Sequence, residues 1–445
     1  MIRYGTLSRK LADVSIPILI ETFLVMTLGA VDTFMLSRHS DNSVAAVGMV
    51  NQLINLVFII FMVISMGTTI LCSQYQGARL KDKVVQVVGI SLIFNLLSGL
   101  TFSAILYFKA EWLLLLMGLR PDLLPDGTAY MQLVGAFAFF QALSLAISAS
   151  LRSADLAKYP MIVAGVVNVM NIIGDWTLIF GHLGLPAMGV RGAALATVIC
   201  RGISVTLLLA FLLRKQIPRF PRELFTPFPW KELKKLLKIG IPSAGEQMSY
   251  SFSQVVITYF INMIGTNALI TRTYMQNIVM FTYMFSIAVA QGGAIQIGHL
   301  VGMKKTNAAY ALGKRVLRIT VMVTVLLSFI TALCGHKIFD MLTDNQEVIA
   351  LGSLVLWIDI LVENGRAINL FGVNALRSAG DIYYPVLIGI AVCWTVSVGL
   401  SYLFGITLHG GLAALWCAVF LDENIRGIIF IRRWKSGRWK TKGFV

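Results

Sequence analysis

The sequence predicts an all-α membrane protein, with twelve transmembrane helices in two six-helix lobes related by a pseudo-two-fold axis along the membrane normal. Three observations carry this. First, 57% of the residues are hydrophobic and only 13% charged, with mean hydropathy +0.78; a soluble domain carries about twice that charged fraction. Second, windows of about 20 apolar residues, enough to cross a hydrocarbon layer, recur at 14–37, 45–75, 87–108, 126–150, 159–181, 190–213, 238–264, 270–301, 314–334, 347–371, 383–406 and 410–432. Third, the two halves of the chain match without a gap.

The match has a constant offset of 225 residues. Pro17 falls on Pro242, Glu21 on Glu246, Gly67 on Gly292, Gly77 on Gly302 and Gly127 on Gly352. Leu151-Arg152-Ser153-Ala154 falls on Leu376-Arg377-Ser378-Ala379, and Arg201-Gly202-Ile203 on Arg426-Gly427-Ile428. Six spans per half is an even number, so both halves enter the membrane in the same sense. Parallel repeats of this kind belong to transporters that rock two bundles around a central site. The proline-rich, basic stretch between the halves sets the expected boundaries: an N-lobe at 1–213, a linker at 214–237 and a C-lobe at 238–445.

The first span, VSIPILIETFLVMTLGAVDTFML from Val14 to Leu36, holds two carboxylates, Glu21 and Asp32. Acids inside a bilayer are costly and mark ion or substrate pathways. Eleven residues apart, they share a helical face and lie roughly 16 Å apart along the axis. The second and eighth spans are long and are expected to tilt or project. Most of the 37 Lys and Arg residues fall in one set of connections, including both ends and the 214–237 linker. The opposite connections hold Arg38, Lys109, Arg120, Arg191, Arg272 and Lys337. That asymmetry places both termini in the cytoplasm. It also explains the net charge of +16 without nucleic acid. The five cysteines form no CxxC and read as buried thiols, and the five histidines have no ligand spacing. The basic N-terminus leads into an apolar stretch too long and too acidic for a cleaved signal. There is no GxxxxGK[ST] for an ATP-driven pump and no catalytic or metal constellation, so the chain is not read as an enzyme.

The repeat acts as a filter: matched polar residues build the scaffold, and unmatched ones inside spans do something specific. Arg152/Arg377 and Arg201/Arg426 match and are read as snorkelling near helix ends. Glu21/Glu246 match too; with Pro17 one turn earlier, Glu21 is a scaffold or gate residue. Asp32 has no counterpart, because Ile257 stands there. In the fifth span Asn168, Asn171 and Asp175 share a face, and their counterparts Cys393, Val396 and Leu400 are not acidic. Asp175 and Asp32 lie at similar distances from the outer ends of their spans. Two carboxylates together in low dielectric cannot both ionise cheaply, so a proton or cation joins them. The alternative is that each is separately hydrogen-bonded. The tenth span carries Asp359, Glu363, Arg366 and Asn369, opposite Val134, Ala138, Gln141 and Ser144. This set is read either as a static salt bridge or as a substrate contact from the second lobe, with Glu246 nearby. Asp422 and Glu423 are expected to pair with basic loops. Methionine and aromatic residues are abundant, as suits a cavity for flat cations as well as ordinary packing.

The runs VDTFMLSR, SQYQGA, LRSADLAKYP, GVRGAALAT, LRSAGDIYYP and RRWKSGRWK, in that order along nearly the whole chain, resemble the multidrug and toxic compound extrusion (MATE) transporters. The resemblance implies two six-helix lobes and cation-coupled export of organic cations. It implies a cation site at Asp32, Asn171 and Asp175, with Thr197 as its sixth-span threonine. The tyrosine some relatives carry before the aspartate is Leu28 here. The second-lobe sodium acids of another branch fall at Tyr250 and Arg366, so coupling is expected through the N-lobe, as in the DinF-like branch.

The expected function is therefore a proton- or sodium-coupled antiporter exporting cationic or amphipathic compounds; the alternative is a flippase for lipid-linked oligosaccharides or lipids. No cofactor and no structural metal is expected, only the coupling ion, H+ or Na+, with Na+ held at Asp32 and Asp175. The expected partners are the bilayer and small cationic or amphipathic substrates, not nucleic acid. The chain is expected to be a monomer in a bacterial plasma (inner) membrane.

Overall fold

The computed structural model describes residues 4–445. The chain divides into two compact units, Ile20–Ile241 and Pro242–Val445 with the chain up to Leu19. Both cuts fall inside helices, two residues after Pro17 and immediately before its repeat mate Pro242. The 214–237 linker thus belongs to the Ile20–Ile241 unit, and the opening turns of the first helix to the other.

The first half of the chain forms α1 (Tyr4–His39), α2 (Asp41–Gly77), α3 (Lys81–Phe108), the short α4 (Ala110–Leu116), α5 (Leu124–Ala136), α6 (Ala138–Ser153), α7 (Lys158–Phe180) and α8 (Val190–Lys215). The second half forms α9 (Trp230–Ile264), α10 (Thr266–Gly302), α11 (Thr306–Leu333), the short α12 (Gly335–Asp340), α13 (Gln346–Ser378), α14 (Tyr383–Thr407) and α15 (Gly411–Lys435). Every expected span falls on one of these helices, or on the α5–α6 pair. Among the described residues nine helices are long and apolar enough on their own to cross a membrane, and the bent α5–α6 pair makes ten. α9 and α15 miss that test because of their own polar side chains, among them Gln247, Ser249, Ser251, Ser253 and Gln254 in α9 and Asp422, Glu423, Asn424 and Arg426 in α15.

The repeat seen in the sequence sets the helix ends. α2 and α10, and α3 and α11, begin and end at the same offset of 225, and α1 ends where α9 does. Even the left-handed turn after α2 recurs, with Arg79 at φ 60° and Lys304 at φ 58°. Two departures are local. α13 is continuous, capped by the Asn345 side chain, which accepts from Glu347 N at 3.0 Å and Val348 N at 3.3 Å. Its partner is broken at Phe137 into α5 and α6, bent by 45°. There the Phe139 N–H donates to the Ser103 hydroxyl at 3.3 Å, and a side chain entering the backbone ladder is a recognised cause of a kink. α14 likewise contains two π-helical stretches, Cys393–Val398 and Tyr402–Thr407, where α7 is regular.

In the Ile20–Ile241 unit a core of Val50, Phe61, Leu114, Met131, Ala142 and Ala194 joins α2, α4, α5, α6 and α8. The start of α9 lies on α2: a Cβ at Gly67 would be 3.0 Å from the Leu236 carbonyl, and one at Gly240 would meet the Val63 carbonyl. Gly240→Val should therefore cost about 1–3 kcal/mol through overpacking against backbone that cannot yield. A thermal melt in detergent checks this. Glu232 closes the same contact from below the span. It is 2% exposed, accepts from the Tyr75 hydroxyl at 2.6 Å, and pairs with Lys83 at 3.2 Å and Lys235 at 3.6 Å. Burial pushes its carboxyl up, but Tyr75, Lys235 and Lys83 outweigh that and hold it below its usual 4.5. A lowered folded value means the stabilisation is present above pH 4.5 and is lost as the pH falls through the lowered value. Amide exchange over 217–240 should accelerate in that acid range, and Glu232→Gln should remove the dependence.

In the other unit one core gathers Ile297, Leu312, Val316, Phe371, Ala375 and Phe430. The chain end is part of it. Trp439 stacks on Trp434 with centroids 4.1 Å apart and donates its indole N–H to the Trp434 carbonyl at 2.9 Å.

Candidate functional site

The unmatched acids of the Ile20–Ile241 unit meet. Asp32 lies two turns before the end of α1, and Asp175, 1% exposed, one turn before the end of α7. Between them stands Asn171, also 1% exposed. With its amide nitrogen facing the acids, Asn171 donates to Asp32 Oδ1 at 2.7 Å and to Asp175 Oδ2 at 3.2 Å. The other oxygen, Asp175 Oδ1, is buried with no partner. One neutral amide thus bridges two carboxyls, Asp175 fully buried and Asp32 half-buried. Like charges this close in low dielectric cannot both persist uncompensated.

The other expected members fall around this bridge rather than in it. Asn168 faces α1 but donates to the Leu24 carbonyl at 2.6 Å, so it ties α7 to α1 one helical stretch away from the acids. Thr197 donates to Ala193 O at 2.9 Å on its own helix and faces the Tyr130 phenol. Three neighbours escaped the sequence reading. Tyr130 on α5 and Arg201 on α8 lie within electrostatic reach of Asp32, and Cys200 lies beside Asn171. Arg201 does not snorkel: its guanidinium lies over the Phe58 ring at 5.5 Å, with Nη1 buried and unpartnered. Its position four residues after Thr197 was the available signal, since that spacing puts both on one face.

The matched Glu and Arg residues pair with each other. Arg152 reaches Glu21 at 3.3 Å in one unit, and Arg377 pairs with Glu246 in the other. Glu246 therefore does not join the polar group of α13, contrary to the expectation. Pro17 is buried inside α1.

The α13 group does assemble, and it is larger than expected. Asp359 accepts from the Trp416 indole at 2.9 Å. Arg366 pairs with Glu363 and, at 3.3 Å, with Glu423. Asn369 donates to Glu423 at 2.7 Å. Arg426 pairs with Asp422 and, at 3.4 Å, with Glu423. Asp422 and Glu423 are thus buried among arginines of α13 and α15 rather than paired with basic loops. Arg272, expected in an outer connection, is buried in α10 on Thr258 and Gln254. The cysteines are all free; Cys72, Cys200 and Cys393 are buried, but Cys334 is exposed and Cys417 half-buried. Among the described residues no three His, Cys, Asp or Glu side chains are placed to hold a metal ion.

The MatE family model matches residues 17–177 and again 242–403, once per half. The chain is 40% identical over 428 residues to the uncharacterized transporter YisQ of Bacillus subtilis strain 168, covering 96% of this chain and 94% of that one. It is 23% identical over 434 residues to the probable multidrug resistance protein NorM of Thermotoga maritima, covering 98% and 93%. Its fold is that of the Vibrio cholerae MATE transporter VcmN in the bent form, with TM-score 0.89, 19% identity and 99% of each chain covered. A two-copy family match, a helix repeat at the same offset and a relative of this identity agree: the chain belongs to the MatE family of multi-pass membrane transporters.

Proposed function

We propose that this chain is a cation-coupled antiporter, driven by protons or sodium, that exports cationic or amphipathic compounds by alternating access. The observation that carries this reading is the Asp32–Asn171–Asp175 bridge, two carboxyls sharing one amide inside a membrane protein. The names of relatives such as NorM, a multidrug resistance protein, support the export of varied compounds. Both termini lie in the cytoplasm of a bacterial cell in this reading, and the monomer is the working unit.

The mechanism follows from charge. With the pair empty, Asp32 and Asp175 carry negative charge that Arg201 offsets in part, and a positively charged substrate is held. A coupling cation entering the pair cancels that attraction, so the substrate is released outward. Asn168, bonded to the Leu24 carbonyl, transmits the change along α1. After the lobes reset, the cation leaves to the inside and the pair is negative again. A ligand moves such an equilibrium only by its differential affinity for the two states, and the carboxyl pair provides that difference. Purified protein in vesicles loaded with a fluorescent organic cation should extrude it when a pH or sodium gradient is imposed. Extrusion under the pH gradient alone assigns the proton, and under the sodium gradient alone, sodium. Extrusion that needs neither overturns the reading.

A further inference from the structure

We propose that the Pro242–Val445 unit carries a binding site for the phosphate of an anionic phospholipid, where Lys314 of α11 and Lys440 of the closing segment meet over the ring of Tyr310, with Arg318 beside them. The site asks only that the chain lie in a bilayer, which its family membership gives, and it stands apart from the coupled-transport reading.

Packing brings the two ammonium groups together. Lys314 Nζ lies 4.7 Å and Lys440 Nζ 5.8 Å from the centre of the Tyr310 ring. Lys314 belongs to the first turns of α11, and Lys440 to a 3₁₀ turn, Arg438–Thr441. Trp434 holds these distant segments in register. It is 2% exposed, its ring lies 6.3 Å from that of Tyr310 and 4.1 Å from that of Trp439, and a Cβ on Gly313 would meet it. Lys440 donates to Asn307 Oδ1 at 2.9 Å, a neutral partner. A ring face attracts an ammonium but cancels no charge. Two like charges are thus held at one ring, on side chains that are both exposed.

No acid in these segments answers them. Five basic residues and no acid stand between Lys304 and Arg318, and six and no acid between Arg432 and Lys442. The closing segment also packs on Gly380, where a Cβ would meet the Lys442 carbonyl. The acid of that turn, Asp381, is 6% exposed and is engaged by Arg433 at 2.7 Å. The counter-charge therefore comes from outside the chain, and a phosphate has acceptor oxygens enough for two ammonium groups at once. A basic surface that served only to orient the chain in the membrane would leave its lysines apart. The site is also private to this unit. At the repeat offset Tyr310, Lys314 and Arg318 correspond to Val85, Gly89 and Ile93, and the space over Gly89 is taken by Phe225.

The adjoining surface assigns the phosphate to a lipid. Met322, Leu326, Phe329 and Leu333 of α11 are 63%, 57%, 43% and 60% exposed. At about 100° per residue they fall on one narrow face, which in a membrane transporter lies against acyl chains. Toward the start of α11 the same face continues with Arg318 and Arg315, both exposed, and Lys314 flanks it. At about 1.5 Å of rise per residue, Arg318 lies roughly 6 Å and Lys314 roughly 12 Å from Met322 along the axis. An apolar stripe followed by a basic collar matches a phospholipid in order, acyl chains and then phosphate. Tyr310, an apolar ring with a polar tip, suits the boundary between them. Inorganic phosphate would meet only the basic half.

The test is native mass spectrometry of the full-length protein in detergent, titrated with phosphatidylglycerol, with zwitterionic phosphatidylcholine, or with phosphatidylglycerol in the presence of inorganic phosphate. The first phosphatidylglycerol should bind about tenfold or more tightly than phosphatidylcholine, and an equal concentration of inorganic phosphate should not displace it. Lys314→Gln/Lys440→Gln should weaken that binding about thirty-fold, which is about 2 kcal/mol. Lys304→Gln/Lys305→Gln removes as much charge from the same end of α11 but none from the ring, and should weaken it by no more than about threefold. Equal binding of the two lipids, displacement by inorganic phosphate, or equal losses in the two double variants overturns the proposal. Should Lys314→Gln/Lys440→Gln fail to fold, Arg318→Gln takes its place, with an expected loss of about fivefold; unchanged binding there overturns the proposal as well. No gradient and no efflux enter this readout, so failure of the transport reading and failure of this one are separately visible.

Discussion

Asp175→Asn should reduce gradient-driven efflux to the level of protein-free vesicles while leaving the protein at least as stable as the parent. Asparagine has the shape of a protonated aspartic acid but cannot release or capture a charge. Asp175 is 1% exposed and stands beside Asp32 across a single amide, so its neutral replacement removes a like-charge repulsion rather than a support. Stability should stay within about 1 kcal/mol of the parent, as a detergent melt would show, even as transport vanishes. Loss of function through misfolding would show the reverse order, with the melt falling first. Asp175→Ala is the contrasting variant: it also removes one of Asn171's two acceptors and leaves a buried gap, and should lose both transport and stability.

Arg377→Ala should be among the most destabilising single substitutions in the chain, at about 3–5 kcal/mol, the usual cost of stranding one partner of a buried ion pair. The side chains of Arg377 and Glu246 are 11% and 15% exposed. The echoed pair, Arg152 and Glu21, is at 23% and 14%, so Arg152→Ala should cost less. The double change Glu246→Gln/Arg377→Ala should recover part of the loss, because the stranded carboxylate is gone. A double-mutant cycle followed by thermal melts in detergent gives the coupling directly, and contacting residues typically show about 0.5–3 kcal/mol. A cycle with no coupling would mean that the matched residues are not a scaffold pair.

These two predictions divide along the line that the internal repeat draws in the sequence. Helix ends were legible because the repeat is built into turn chemistry: the same left-handed position follows α2 and α10, at Arg79 and Lys304. Asp32, Asn171 and Asp175 were legible because helical spacing and shared depth suffice to bring two acids together. Pairings across helices were not. Nothing in the spacing of α1 and α6 says that Glu21 meets Arg152, although the echo of both residues at one offset was a usable hint. Tyr130 reaches the acid pair only because α5 packs beside α8, and Trp416 reaches Asp359 from another helix. The filter itself failed at Arg426. Its match with Arg201 marked it as scaffold, yet it lies among unmatched acids, since a repeat can keep one residue and rebuild its neighbours. The bend at Phe137 was invisible because it depends on the hydroxyl of Ser103, from a different helix.

The claim at the centre is that cation movement and substrate movement share the Asp32–Asp175 pair. The most direct measurement runs the cycle backwards: impose a substrate gradient across vesicles and record proton or sodium flux with an internal indicator. The account predicts ion flux opposite to the substrate in the parent protein, and none in Asp32→Asn. Undiminished ion flux in Asp32→Asn would contradict it.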